Sequence, residues 1–93
     1  MLKVAVINGN EDTLKDPIKG RPFSHNLDRV QYVEDVTEAD WILGYLDYLN
    51  CEKDYVEIVQ SRVFQVMPEK FVFWSMHDSP RFAYVEPYST KFI

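Results

Sequence analysis

The sequence predicts an α/β fold: a small Rossmann-like domain with a mostly parallel sheet of about four strands flanked by helices. Three observations carry this. "KVAVI" (residues 3–7) and "WILGYL" (residues 41–46) are unbroken apolar runs, as strands covered on both faces require. A helical stripe separates "WILGYL" from the next apolar run, "FVFWSM", and parallel neighbours need such a crossover. The cadence strand, connection, strand, strand, helix, strand belongs to α/β domains with right-handed crossovers.

The elements follow in order. Lys3 to Ile7 forms the first strand, closed by the turn residues Asn8-Gly9-Asn10. Glu11 to Leu27 carries Pro17, Gly20 and Pro22, which interrupt any helix of ordinary length and leave a long connection with one or two helical turns. Arg29 to Val33, imperfectly alternating, reads as an edge strand, and "EDVTEAD" as a solvated turn or single helical turn. Trp41 to Leu46 suits an inner parallel strand whose Gly44 admits another group at close range. From Glu52 to Met67, Tyr55, Val59, Val63 and Val66 recur at helical spacing, with Asn50 as the cap and Pro68 beyond the end. Phe71 to Met76 is a further strand, and "YVEPYSTKFI" closes with a last short strand after Pro87.

Composition bounds the function. Residues 1–93 make one domain, in a size range that buries about 60 to 65% of the unfolded surface. With 46% hydrophobic, 15% aromatic and 27% charged residues, the chain is globular rather than disordered. A net charge of −5 and scattered Lys and Arg argue against nucleic acid and anionic membranes as partners. Cys51 is the single cysteine, so no internal disulfide is available. No apolar stretch reaches the roughly 18 residues of a membrane span, and "MLKVAVINGN" has too short an apolar run for a signal peptide. The expected location is cytoplasmic.

In parallel sheets ligands gather beyond the carboxyl ends of the strands. Those ends are Asn8-Gly9-Asn10, Leu46-Asp47-Tyr48 and His77-Asp78-Ser79. His77 and Asp78 are candidate catalytic residues, because a carboxylate beside an imidazole suits general acid–base work and hydroxyl recognition; Asp78-Ser79-Pro80 also reads as an ordinary turn. Asn8, Asn10 and Asp47 are candidate substrate-binding residues, although a lone Gly9 cannot build a ring of phosphate-binding amides. Cys51, His25 and His77 lack metal-ligand spacing, so no metal and no cofactor are expected. Trp41 and Trp74 read as core residues rather than sugar-stacking platforms.

"EADWILGYLDYL", followed by a helix and then "PEKFVFWSMHDSP", resembles the amino-terminal half of exostosin-like glycosyltransferases of the GT-B fold. The likeness spans roughly Val36 to Pro80. It implies an acceptor-side half that binds a saccharide, with His77 and Asp78 at the cleft and His77 as base in a complete assembly. Because the second, donor-binding half is missing from residues 1–93, the resemblance implies a transferase-like fragment, inactive alone, that relies on a carboxy-terminal domain or partner chain. Two other classes compete. Glu11-Asp12, Asp47, Ser75 and Lys91 loosely resemble the acidic cluster of a response-regulator receiver, and a small interaction protein without chemistry is the third reading.

Overall fold

A computed structural model describes residues 1–46 and 51–75, and for Cys51, Glu52 and Ser75 the backbone only. Its sheet has four strands: β1 (Leu2–Ile7), β2 (Val30–Tyr32), β3 (Trp41–Leu46) and β4 (Phe71–Ser75). All pairings are parallel, in the order β2-β1-β3-β4. The α/β fold with a parallel sheet expected from the sequence is therefore present, with β2 on an edge.

The unbroken apolar runs have a physical origin in this layering. Successive strand residues point to opposite faces, and both faces are covered. Val4, Leu43 and Val72 pack with Leu14 of α1 (Glu11–Lys15) and Phe23 of α2 (Arg21–Ser24). Ala5, Ile42, Leu46, Phe71 and Phe73 pack with Tyr55, Ile58 and Val59 of α3 (Cys51–Gln60) and with Phe64 of α4 (Arg62–Val66). Trp41 and Trp74 pack, half-buried, against the α1–α2 core. Gly44 leaves space for a ring: a Cβ there would lie 3.1 Å from Phe73 Cδ1.

The expected helix from Glu52 to Met67 is instead two helices broken at Ser61. Ser61 adopts extended backbone (φ −72°, ψ 153°). Its hydroxyl donates to the Ile58 carbonyl at 2.6 Å and accepts the Phe64 N–H at 3.3 Å, capping α4 as α3 ends. The break rotates the apolar stripe: Phe64 turns inward against Phe71 (centroids 5.1 Å apart), while Val66 is 62% exposed. Pro68 then opens a 3-10 turn into β4. The Asn50 cap and the strand after Pro87 lie outside the described residues.

Two aspartates fix the entry to β3. Asp35 Oδ1 accepts the Thr37 N–H (2.9 Å) and hydroxyl (2.6 Å), closing a 3-10 turn over Val36–Glu38. Asp40 accepts the Lys3 N–H on Oδ2 at 2.9 Å and donates its own N–H to the Lys3 carbonyl at 2.8 Å, which sets the β1–β3 register.

Candidate functional site

The chain leaves β1 for β2 on one side and later places β3 on the other side of β1. This reversal is a topological switch point, where the crossovers diverge and leave a crevice at the carboxyl ends of the strands. A cleft of about 320 Å³ lies there, lined by Asn8, Thr13, Lys19, Tyr45, Asp54 and Glu57.

Asn8 follows β1 directly and is the one non-glycine residue with positive φ (61°) among the described residues. Asparagine tolerates this left-handed conformation better than most residue types. Gly9 brings the loop close to α1, since a Cβ there would sit 2.9 Å from Val6 Cγ1 and closer still to the Thr13 hydroxyl. Asn10 is the α1 cap: its Oδ1 accepts from the N–H groups of Asp12 (2.9 Å) and Thr13 (3.4 Å). Thr13 Oγ1 completes the capping box by accepting the Asn10 N–H.

Lys19 reaches the cleft on a tightly tied loop. Asp16 Oδ1 accepts the N–H groups of Ile18 (2.8 Å) and Lys19 (2.9 Å). Trp74 Nε1 donates to the Ile18 carbonyl at 2.7 Å, and the Arg21 guanidinium lies 5.8 Å from the Trp74 ring centroid. The backbone N–H groups of Lys19 and Ile18, with a smaller attraction from the Lys19 charge, hold the Asp16 carboxyl below its ordinary value of 3.8. Asp35 is lowered likewise, by the Thr37 hydroxyl and N–H. A carboxyl depressed in the folded state contributes stability that is present above its unfolded value and lost as pH falls through the folded one. The Ile18 and Lys19 amides are therefore expected to keep slow exchange and constant shifts down to about pH 4, and to lose both on further acidification. NMR across an acid titration checks this, and Asp16→Asn, which keeps an acceptor, should flatten the response.

Asp54 and Glu57 stand three residues apart on α3 and so share one face; Tyr55, Ile58 and Val59 bury the other. Tyr45 lies near the end of β3. By strand parity it belongs with Leu43 on the α1–α2 face, so the cleft draws side chains from both helical layers.

Of the residues singled out in the sequence, Asn8 lines the cleft and Asn10 caps α1. Asp47, His77 and Asp78 lie outside the described residues. Glu11 forms an ion pair with Lys15 at 3.4 Å along the outer face of α1, and Asp12 is exposed, so the receiver-like acidic pair does not line the cleft. Thr13, Lys19, Tyr45, Asp54 and Glu57 were not singled out. The available signal was the spacing of Asp54 and Glu57 on the polar side of the helical stripe. Among the described residues no three His, Cys, Asp or Glu side chains approach closely enough to hold a metal, and no helix is long and apolar enough to cross a membrane.

Comparison with protein-family models, curated proteins and solved structures gives no match. The chemistry of the site therefore rests on its lining. Five of the six residues bring amide, hydroxyl, ammonium or carboxylate groups, and the sixth brings a phenol on an aromatic ring. Such a set donates and accepts hydrogen bonds in several directions at once. With one lysine against two carboxylates, it is poorly matched to a phosphate or nucleotide anion.

Proposed function

We propose that this chain is a ligand-binding half-domain whose switch-point cleft takes a small, hydroxyl-rich molecule of saccharide type, and that it is not catalytic alone. The observation that carries this reading is the polar lining of a cleft at the place where parallel sheets bind ligands. Vicinal hydroxyls are both donors and acceptors, which the carboxylates of Asp54 and Glu57, the Asn8 amide and the Thr13 hydroxyl can answer in combination. The likeness of Val36 to Pro80 to the acceptor side of exostosin-like glycosyltransferases points to the same ligand class. In that setting His77 and Asp78 would act only once a donor-binding domain or partner chain completes the assembly. The single cysteine and acidic surface fit a cytoplasmic setting.

A ligand-observed NMR screen of neutral monosaccharides and disaccharides, sugar nucleotides and acetyl phosphate tests the reading. Saccharides are expected to bind at millimolar strength. Asn8→Gly removes the amide while keeping the left-handed backbone, and should weaken saccharide binding about fivefold with thermal stability retained. Absence of any saccharide signal would overturn the proposal, and phosphorylation by acetyl phosphate would replace it with the receiver reading.

A further inference from the structure

The charges of the cleft are segregated. Lys19 enters on the loop that links α1 to α2, over one face of the sheet, whereas Asp54 and Glu57 enter on α3, over the other. Lys19 and Glu57 line the same cleft of about 320 Å³, yet neither side chain makes a hydrogen bond or ion pair among the described residues. The Lys19 loop is fixed by the Asp16 carboxylate and the Trp74 indole, and α3 is fixed by its buried face, so the two walls are held in place independently. A neutral ligand leaves the Glu57 charge to solvent and the Lys19 charge to solvent and the attraction of nearby Asp16. A singly charged ligand matches one wall and meets like charge at the other.

We propose that the ligand of this cleft is zwitterionic: a hydroxyl-rich molecule carrying a protonated amine that faces Glu57 and a carboxylate that faces Lys19, as in an amino sugar acid. The inference rests on the saccharide reading of the cleft and narrows it. Because both walls are open to water, each pairing is modest and weakens with salt.

A matched series titrated into the full chain at low ionic strength tests this: glucose, glucosamine, glucuronic acid and muramic acid, with γ-aminobutyrate as a zwitterion without hydroxyls. Each exposed pairing is expected to tighten binding about threefold, so that muramic acid binds about tenfold tighter than glucose, with glucosamine and glucuronic acid between them. Glu57→Gln should cancel the advantage of the amine and leave that of the acid, and Lys19→Gln should do the reverse. Both exchanges are at surface positions and should leave the melting temperature within a few degrees. If muramic acid binds no tighter than glucose while glucose still perturbs the cleft, the zwitterion inference is overturned and the saccharide reading stands. If only γ-aminobutyrate and muramic acid bind, the charge pairing is upheld and the saccharide reading fails. Binding by none of the five removes both.

Discussion

Phe73→Ala is expected to destabilise the domain by about 4 kcal/mol, among the largest effects of a single truncation at the described residues. Phe73 is fully buried and joins an aromatic cluster, with ring centroids 4.9 Å from Tyr55, 5.8 Å from Phe71 and 6.0 Å from Phe64. It thereby ties β4 to both α3 and α4. Gly44 on β3 offers no side chain to refill the space, since its missing Cβ is what lets the Phe73 ring approach that strand closely. A cavity that cannot collapse retains its full cost. A domain of this size has a total stability of about 5–14 kcal/mol, so the variant should unfold at a much lower urea concentration. Phe73→Leu, which keeps most of the volume, should recover more than half of the loss; equal loss in both variants would show that the rings do not pack as described.

Gly20→Ala is expected to lower stability by about 2–3 kcal/mol through a different cause. Gly20 has an ordinary negative φ of −102°, so left-handed freedom is not the issue. Its Cα instead presses on the end of α1: a Cβ would lie 2.6 Å from the Leu14 carbonyl carbon and 2.7 Å from the Thr13 oxygen, with the Leu14 oxygen nearer still. Those are backbone atoms, and they cannot swing aside as a side chain can. Relief requires moving α2 from α1, which displaces the neighbouring Lys19 and loosens the Trp74 bond to Ile18. The variant should therefore show lower thermal stability together with altered Ile18 and Trp74 indole N–H resonances. Wild-type stability in Gly20→Ala would show that the two helices are not in this contact.

The sheet was legible because "KVAVI" and "WILGYL" place apolar residues on both faces, which only a doubly covered strand can bury. Gly44 was legible as a point of close approach for a similar reason. The break at Ser61 was not, because Val59, Val63 and Val66 keep helical spacing straight across it, and only the side-chain bonds of Ser61 to Ile58 and Phe64 show that the backbone turns. At the cleft, Asn8 could be found as the first residue beyond a buried strand. Lys19, Asp54 and Glu57 could not be brought to it by pattern alone, since their meeting depends on the path of two crossovers over opposite faces of the sheet. Asn10 shows the converse: a polar residue at a strand end whose oxygen is engaged by the next helix. The Ala39-Asp40 pair has a local role in the fold, because Asp40 bonds to Lys3 and sets the strand register.

If the diverging crossovers on either side of β1 and β3 create a binding site, a saccharide should perturb the residues that line the cleft between them. Amide chemical-shift mapping of the 15N-labelled chain during titration with the tightest-binding saccharide tests it most directly. Perturbations are expected to concentrate at Asn8, Thr13, Lys19, Tyr45, Asp54 and Glu57. Perturbations centred instead on the β2 edge or the outer face of α4, with those six residues unmoved, would contradict it.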